Sequence, residues 1–477
     1  MKVRTRFAPS PTGFMHIGNL RTAIFAYLIA KKHNGDFLLR VEDTDQERIV
    51  DGAIDFIYDT LDLCKLNIDE GPNNPGEFGP YVQSKRLSIY KEYAELLVEK
   101  NKAYCCFCKE EELEKQRSIA DERKKPFLYN GKCSKLSKEE VAEKIKNGEK
   151  YVIRQKMPKE GITKIEDLIH GTICINNEIL DDHILLKSDG FPTYNYANVV
   201  DDHLMQISHV VRGHEYLDQT AKYNLLYDAY EWEKPVYIHV AMVLGEDGTK
   251  LSKRNGDASF MDLYNVGFLP EAIVNYLVFL GWSPTSNQEI FSIAELIQNF
   301  DETRISTNSS QYDVKKLQWY NAQYIKKMSD QEYLDFVRPF LATGRDLNGK
   351  TDEWINHLLL LHKNHLSFGE EIVAQTELFF KDNYELSVEG NEFLKSDPQT
   401  VQCVDAFITE VNNIKEWTVD NIKTAINNIK EKTGINGKML YMPIRIMVSG
   451  QMHGPELADT IYLIGKDKTS ERLRKGL

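Results

Sequence analysis

Apolar and polar positions along the first hundred residues predict strands and helices in alternation. A short alternating run over 3–7 predicts a strand, and apolar residues at helical spacing over 19–32 predict an amphipathic helix. His33-Asn34-Gly35 is typical of a left-handed helix end, and 37–42 reads as a buried strand. Because strand, helix and strand of this size need a crossover connection, we expect the two strands to be parallel neighbours.

The pattern changes near residue 102, where a cysteine-rich turn and a charged run over 109–125 interrupt the alternation. Buried strand-then-helix character returns over 181–200. We therefore expect an insertion at 101–185 that divides one α/β domain into two halves. The same patterns predict further helices over 51–63 and 84–100 and strands over 151–155 and 171–175.

Beyond residue 248 the chain becomes mainly helical. The apolar segment 268–282 has Pro270 at its start and Gly281 at its end, which suits a helix. From about residue 330 the chain is polar and helical, without strand alternation until near 439. The predicted divisions are 1–100, 101–185, 186–248, 249–329 and 330–477.

Composition limits the classes of protein that this chain can belong to. Its 477 residues predict about three domains, and no apolar run reaches the length of a membrane span. The N-terminus lacks a signal-peptide pattern, and seven cysteines do not suggest a disulfide framework, so we expect a cytoplasmic protein that does not bind membranes. A net charge of −13 argues against nonspecific attraction to nucleic acid but allows a local basic surface.

The first candidate for chemistry is a turn that follows the first predicted strand. Two prolines and a glycine in 9–13 force a sharp turn, and a helix is expected to begin near Gly18 or Asn19. The free N–H groups and dipole of that helix would attract phosphate, and His16 could donate to phosphate oxygens. The alternative is a purely structural turn with an incidental histidine.

The second candidate is the basic loop Lys250-Leu251-Ser252-Lys253-Arg254, which has glycines on both sides. Lysine is a flexible point charge suited to phosphate, so such a loop could close over the β- and γ-phosphates of a nucleotide. Taken alone, such a cluster of charges favours a solvated surface turn. Together, the two segments predict a site at which the α-phosphate of ATP is attacked.

These two segments resemble the HIGH and KMSKS signatures of class I aminoacyl-tRNA synthetases. Neighbouring stretches narrow the resemblance to glutamyl-tRNA synthetases of the bacterial type; they are 6–13, 40–45, 186–194, 197–203 and 212–213. The resemblance covers nearly the whole chain and is most specific over the first 260 residues. Asn19, His214 and Tyr216 depart from the family pattern, which affects the expected contacts near the nucleotide.

The resemblance implies a Rossmann-type doubly wound parallel sheet, an α+β insertion and an all-α C-terminal region. It implies that a monomer activates L-glutamate with ATP and Mg²⁺ as glutamyl-adenylate, then transfers it to the 3′-terminal ribose of tRNA(Glu). The insertion would bind the acceptor end, 249–329 would carry the loop and contact the tRNA stem, and 330–477 would bind the anticodon. His16, Lys250 and Lys253 would be catalytic. The implied ATP-binding residues are Thr12, Gly13, His16, Gly18, Asn19, Glu215, Lys250, Leu251 and Lys253.

Binding glutamate requires partners for two carboxylates and one ammonium. Arginine suits carboxylates, which makes Arg6 and Arg212 the candidates, and Glu42 could hold the ammonium. The alternative for Glu42 is a strand-end salt-bridge cluster with Arg40, Asp43 and Asp45. Family resemblance adds Ala8, Ser10, Tyr194 and Asn198. A buried arginine at the side-chain carboxylate would reject glutamine, because the neutral amide would leave the guanidinium without a counter-ion. Either Arg6 or Arg212 could have that role.

Cysteines cluster within the predicted insertion. Cys106, Cys108 and Cys133 have a spacing that would supply three of the four ligands of a structural zinc ion. Many relatives have a histidine two residues after the last cysteine, where this chain has Lys135. Tyr129 or Cys105 could be the fourth ligand, and a metal-free remnant is the alternative.

Five other functions stay open at this point. A glutamine-specific synthetase would be expected to have a β-barrel anticodon domain, whereas a non-discriminating enzyme would share every feature above. A glutamyl-queuosine synthetase would end near residue 300. A small-molecule adenylyltransferase would need neither the insertion nor the C-terminal region, and a simple RNA-binding module would not need Lys250 or Lys253.

Overall fold

The structure is a computed structural model that describes residues 2–13, 15–124, 126–249, 251, 259–381 and 385–475. It divides into two compact units. The first comprises Met1–Tyr264 with Pro270–Val314, and the second Asn265–Leu269 with Lys315–Leu477. The second unit thus begins earlier than the predicted boundary at 330, and the five-part division remains a prediction.

The chain begins with the predicted strand–helix–strand unit. β1 and β2 pair in parallel, with Arg4 opposite Asp36 and Phe7 opposite Leu39, which confirms the crossover. The elements here are β1 (Arg4–Phe7), α1 (Ile17–Lys32), β2 (Asp36–Leu39), α2 (Ala53–Leu63) and α3 (Leu87–Glu99).

Helix α1 differs in two ways from the predicted amphipathic helix. It begins at Ile17, earlier than predicted, because His16 caps it. It is also buried on nearly every side from Ala23 to Ala30 rather than on one face. Apolar spacing cannot distinguish a half-buried helix from one covered by a sheet and by other helices, so only tertiary packing reveals this. Asn34 has φ 52°, as the predicted left-handed end requires.

Small sheets and exposed helices follow. β3 pairs antiparallel with β4, and β4 with β7, which gives a three-stranded sheet. β5 and β6 form an antiparallel hairpin. The elements are β3 (Ala103–Cys106), α4 (Glu110–Glu122), α5 (Lys138–Lys146), β4 (Val152–Gln155), β5 (Ile162–Asp167), β6 (Gly171–Asn176) and β7 (Ile184–Leu186).

The rest of the first unit returns to alternating elements. They are α6 (Tyr194–Leu204), β8 (His209–Gly213), α7 (Leu217–Tyr230), β9 (Val236–Val240), β10 (Val243–Leu244), α8 (Phe260–Asn265), α9 (Pro270–Phe279), α10 (Ile293–Asn299) and β11 (Ser310–Gln311). α8 ends just inside the second unit. β10 and β11 pair in parallel.

The central strands of the first unit run in one direction. β8 and β9 are parallel, and β5 joins β9 in parallel, so the sheet order is β6-β5-β9-β8. The N–H of Ser208, just before β8, donates to the Arg4 carbonyl on β1 at 3.0 Å, which brings the β1–β2 pair alongside. The expected insertion therefore contributes β5 and β6 to the central sheet. The carboxyl ends of β1, β8 and β9 share one edge, where ligands bind in such folds.

In its described part the second unit consists of helices, as predicted for the C-terminal third. They surround an apolar core that includes Phe407, Ile429 and Ile444. Its helices are α11 (Val314–Lys327), α12 (Asp330–Gly344), α13 (Asp352–His362), α14 (Glu371–Gln375), α15 (Glu377–Phe380), α16 (Val388–Lys395), α17 (Pro398–Asn413), α18 (Val419–Thr433), α19 (Lys438–Ser449), α20 (Leu457–Ile464) and α21 (Lys466–Lys475).

Membrane crossing can be tested against the helices directly. Among the residues that the structure describes, none of the helices combines the length and the apolar character that a bilayer span requires.

Candidate active site

A cavity of about 420 Å³ lies in the first unit where β1, β8 and β9 end and α1 begins. It brings together residues that are more than two hundred positions apart in the chain. The predicted glutamate-binding residues that line it are Arg6, Ala8, Ser10, Tyr194 and Arg212, and the predicted ATP-binding residues are Thr12, His16, Gly18, Asn19, Glu215 and Leu251.

Helix α1 starts at this cavity, with His16 as its N-cap. The His16 Nδ1 accepts a hydrogen bond from the Gly18 N–H at 3.1 Å. Since Nδ1 is the acceptor, a neutral imidazole carries its proton on Nε2. Two more amides of the first turn, those of Asn19 and Leu20, donate to the His16 carbonyl at 3.0 Å. The prediction of free N–H groups therefore does not hold for these three amides, and the His16 ring lies beside them at the cavity wall.

Arg6 is fully engaged by a carboxylate that the sequence interpretation did not assign. Its Nε and Nη2 donate to Asp202 Oδ1 and Oδ2 at 2.9 and 3.2 Å, which is a two-pronged pair. Its Nη1 donates to the Val211 carbonyl at 3.3 Å. All three guanidinium nitrogens of Arg6 thus have a partner within the protein.

Arg212 is bound differently. Its Nη2 donates to Asn198 Oδ1 at 3.0 Å, whereas its Nε and Nη1 are buried and make no hydrogen bond with any residue that the structure describes. The guanidinium also lies 4.8 Å from the centre of the Tyr223 ring and 5.6 Å from that of Tyr216. Arg212 therefore keeps two donor nitrogens for a ligand in the cavity, because a buried donor without a partner is unfavourable.

Glu42 lies behind the cavity and is almost fully buried. Its Oε1 accepts from Arg40 Nη2 at 2.9 Å, whereas its Oε2 has no hydrogen-bond partner within the described residues. Burial raises the pKa of Glu42 in spite of Arg40 and Arg6. A cationic group from a ligand would both satisfy Oε2 and favour the ionised carboxylate.

Helix α6 places three of these side chains on one face. Tyr194, Asn198 and Asp202 are spaced four residues apart, so they lie above one another on the helix. Asp202 holds Arg6 and also Arg40, whose Nη1 lies 2.7 Å from Asp202 Oδ1. Burial alone would raise the pKa of Asp202, but the two arginines outweigh it and lower that pKa.

Sequence reasoning missed the role of Asp202 in this network, and it placed Arg40 in a salt-bridge cluster with Glu42 without its bond to Asp202. Both residues stand in the stretches that carry the family resemblance, yet neither is expected to touch a ligand. The signal that could have found them is charge balance. Buried arginines need buried carboxylates, and the sequence offers three candidates in Arg6, Arg40 and Arg212. The acidic pair Asp201-Asp202 stands in the stretch 197–203 that carries the resemblance.

Some predicted site residues are not at the cavity wall. The residues that do not line it are Gly13, Glu42 and Asn198. Asn198 nevertheless contacts Arg212, which does line it, and Glu42 lies behind it. Lys250 and Lys253 lie outside the described residues. Of the departures from the family pattern, Asn19 and Tyr216 line the cavity, whereas the His214 ring is tilted against that of His170, with ring centres 5.1 Å apart.

The cysteine cluster forms a second site in the first unit. The Sγ atoms of Cys106, Cys108 and Cys133 lie within 4.8 Å of one another. Tyr129 Oη lies 3.4 Å from Cys106 Sγ and 3.3 Å from Cys108 Sγ, and it accepts from the Cys133 N–H at 3.1 Å. Cys105 is not a member of the cluster; burial, then Glu95, raises the pKa of its thiol to about 11.

The chemistry of this cluster suits a zinc ion. Three thiols and one phenol oxygen converge on one point, and zinc in structural sites takes four ligands. Cys133, and after it Tyr129, lowers the pKa of Cys106, which favours the thiolate form that zinc binds. The donor set is therefore compatible with a bound zinc ion, with Tyr129 rather than Cys105 beside the three sulfurs.

The second unit has a cavity of its own, about 900 Å³ in volume. Arg445 and Lys381 provide cationic groups, and His362, His365 and His453 provide rings at its wall. A Cβ on Gly454 would lie 3.1 Å from Arg445 Nη1, so the missing side chain leaves the guanidinium room beside the loop. Rings and a guanidinium plane are the groups that stack on unpaired RNA bases.

Two protein families match the chain in sequence. Residues 2–319 match the family described as tRNA synthetases class I (E and Q), catalytic domain. Residues 332–477 match the family described as anticodon binding domain. The first match contains the cavity at the strand ends, and the second contains the cavity of the second unit.

Curated relatives and solved structures agree over the full length. A glutamate–tRNA ligase of Clostridium botulinum strain Hall is 47% identical over 485 residues, which cover 100% of this chain and 98% of that protein. A crystal structure of a glutamate tRNA ligase from Elizabethkingia meningosepticum, in complex with its amino acid, has a TM-score of 0.89 at 34% identity, covering 100% and 99% of the two chains. The glutamate–tRNA synthetase of Elizabethkingia anophelis gives a TM-score of 0.90 with the same identity and coverage.

Proposed function

The chain belongs to the glutamate–tRNA ligase family of class I aminoacyl-tRNA synthetases, and we propose that its first unit joins L-glutamate to tRNA(Glu) in two steps. The glutamate α-carboxylate attacks the α-phosphate of ATP, which gives glutamyl-adenylate and pyrophosphate. A terminal ribose hydroxyl of the tRNA then attacks the activated carbonyl, which forms the ester and releases AMP and the hydroxyl proton. One observation supports this best: the His16-capped helix and the partly unpaired Arg212 face the same cavity.

Catalysis in this proposal rests on positioning and on charge. His16 Nε2–H is a donor at the start of α1, where the phosphates of ATP would lie. Lys250 and Lys253 would stabilise the charge that develops as pyrophosphate leaves, with Mg²⁺ as the companion of ATP. In the first step no side chain needs to act as a general base, because the attacking group is already a carboxylate.

Selection of glutamate follows from the unequal bonding of the two arginines. We assign the side-chain carboxylate of glutamate to Arg212, which keeps two donor nitrogens, and a supporting role to Arg6, whose nitrogens are occupied. The free Oε2 of Glu42 would take the ammonium group. Glutamine offers no charge to Arg212, so binding it would leave a buried cation without its counter-ion.

Transfer RNA would reach both units. We propose that 101–185 binds the acceptor end and that the anticodon is read in the second unit, where the Arg445 cavity offers a guanidinium and several rings to unstacked bases. The helical second unit argues against a glutamine-specific enzyme with a β-barrel anticodon domain. Charging purified tRNA(Glu) and tRNA(Gln) side by side separates a discriminating enzyme from a non-discriminating one.

We further propose one structural zinc ion held by Cys106, Cys108, Cys133 and Tyr129. The ion would connect β3 to the turn at Cys133 and would take no part in the reaction. Its contribution would be to the stability of the segment that binds the acceptor end.

The zinc proposal predicts about one equivalent of zinc per purified chain, measured by mass spectrometry of the metal. Cys108→Ser should lose most of it, and Tyr129→Phe should lose it faster during dialysis against a chelator. Cys105→Ser is the matched control and should retain the metal, because Cys105 is not part of the cluster. A parent protein without zinc, or a Cys108→Ser variant with full zinc content, would contradict the proposal.

The proposed reaction predicts pyrophosphate exchange into ATP that requires both glutamate and tRNA. Lys253→Ala should lower the exchange rate about 10²- to 10³-fold, since it removes a cation aimed at the leaving group, with little change in the KM for glutamate. Exchange without any dependence on tRNA, or a preference for another amino acid, would favour an adenylyltransferase or another synthetase. Near-normal exchange by Lys253→Ala would refute the catalytic role of the loop.

A further inference from the structure

Arg21 is a buried cation that the proposed mechanism does not use. It stands on α1, five residues after His16, lines the nucleotide side of the cavity and is 3% exposed. Its Nη1 donates to the Leu280 carbonyl just after α9, and its Nη2 to the Ala241 carbonyl just after β9. One guanidinium thus connects three segments of the first unit.

The surroundings of Arg21 differ from those of Arg6 and Arg40, which are paired with carboxylates. Within the described residues its hydrogen bonds go to main-chain carbonyls, and its buried Nε has no hydrogen-bond partner. Burial lowers the pKa of Arg21 to about 10, with Glu215 acting against the decrease. Placing a cation here is costly, since carbonyl dipoles compensate a buried charge less well than a carboxylate does.

Ala241, whose carbonyl accepts from Arg21, lies at the wall of the cavity. β9 ends at Val240, and Ala241, Met242 and Val243 all line the cavity before the chain enters the basic loop at Lys250. Helix α1 carries the first signature, and the segment after β9 leads to the second. Arg21 therefore sets the distance between the two walls that must enclose one nucleotide.

A glycine beside Arg21 supports this interpretation. Gly281, at φ +144°, follows the Leu280 carbonyl, and a Cβ there would lie 3.3 Å from Arg21 Nη1 and 3.8 Å from the Phe25 ring. That φ is one that L side chains rarely adopt, and the guanidinium occupies the space a side chain would take. The chain thus leaves room at this point for the Arg21 side chain.

We propose that Arg21 is a positioning residue for nucleotide binding, which fixes the end of β9 against α1 and so sets the spacing of two walls of the cavity. This inference rests on the proposed function, because it assumes that ATP occupies the cavity.

The test compares Arg21→Met, Arg21→Lys and Gly281→Ala in the full-length protein by pyrophosphate exchange and by calorimetric titration with ATP alone. Arg21→Met should raise the KM and Kd for ATP about tenfold or more, which is what losing bonds from a charged donor amounts to. The KM for glutamate should change less than about twofold, since the arginines that hold glutamate are untouched. Arg21→Lys should bind ATP more tightly than Arg21→Met but more weakly than the parent. Gly281→Ala should weaken ATP binding, as Arg21→Met does.

Arg4→Met is the matched control, because Arg4 is an equally buried arginine whose bonds go to Asp36, Glu70 and the Met205 carbonyl. It should lower the thermal midpoint but leave the KM for ATP unchanged. If the folded Arg21→Met protein binds ATP as the parent does, or if Arg4→Met weakens ATP binding equally, the positioning role is refuted. If Arg21→Met does not fold, Arg21→Lys and Gly281→Ala decide in the same way. A parent protein that shows no pyrophosphate exchange would instead refute the proposed function. The titration with ATP separates the two failures, because it measures nucleotide binding without the reaction.

Discussion

Replacing Arg212 by lysine is expected to lower kcat/KM for glutamate about 10³-fold or more. Lysine keeps the charge but cannot reach a carboxylate while also holding Asn198, so the bonds that align glutamate are lost. Most of the effect should be in the KM for glutamate, with the KM for ATP close to that of the parent. Steady-state pyrophosphate exchange with each substrate varied in turn measures this, and exchange supported by glutamine shows whether discrimination falls with it.

Two further variants decide whether Arg212 is the arginine that binds the side-chain carboxylate. Arg6→Lys should have a smaller effect on the KM for glutamate, because Arg6 is bound to Asp202 and to the Val211 carbonyl. Arg86→Lys serves as the control, since Arg86 is buried against Asp201 and does not line the cavity. A larger loss in Arg6→Lys than in Arg212→Lys would reverse the assignment.

Removing the Asp202 carboxylate should have the largest effect on stability. Asp202→Ala would leave Arg6 and Arg40 buried without the carboxylate that they share, which costs about 3–5 kcal/mol in the free energy of unfolding. Urea unfolding followed by circular dichroism measures the change. Asp228→Asn is the control: its ion pair with Lys234 is exposed, so the change should stay within about 1 kcal/mol. An Asp202→Ala protein as stable as the parent would contradict the network.

The same carboxylate predicts a dependence of stability on pH. Arg6 and Arg40 hold the pKa of Asp202 below its ordinary value in the folded protein. Because the unfolded chain then binds a proton more readily, the contribution of Asp202 is complete above its unfolded pKa and is lost as the pH falls through its folded pKa. Between neutral and acidic pH the parent should therefore lose more unfolding free energy than Asp202→Asn does. Equal losses would contradict this.

Local patterns predicted the framework of the site well. The β1–α1–β2 unit, the turn at 9–13 and the helical C-terminal region all follow from apolar spacing, proline and glycine, which act between residues close in the chain. The start of α1 was placed slightly late, because the capping bond from Gly18 to His16 involves an imidazole rather than a usual cap residue.

The insertion and the cysteine cluster show where local reasoning stops. Spacing indicated Cys106, Cys108 and Cys133 as candidate zinc ligands and gave Tyr129 as the fourth, with Cys105 as the alternative. Only the folded chain brings the Tyr129 hydroxyl against the thiols and leaves Cys105 out. Likewise, no local pattern indicated that β5 leaves the other strands of 101–185 and pairs with β9, because strand pairing depends on partners distant in sequence.

The sequence by itself determined the class of chemistry. The two signatures indicate a nucleotide as one substrate, and the arginines at strand ends indicate a dicarboxylate as the other. Only the tertiary structure decided which of these side chains are bonded within the protein and which keep donors for a ligand. Arg6 and Arg212 look equivalent in sequence, but Asp202 occupies one and leaves donors on the other. Arg21 gave no signal, because its partners are carbonyls, which every residue has. The physical reason is the same in both cases: residue type sets which bonds a group is able to form, and only packing sets which of them are already made.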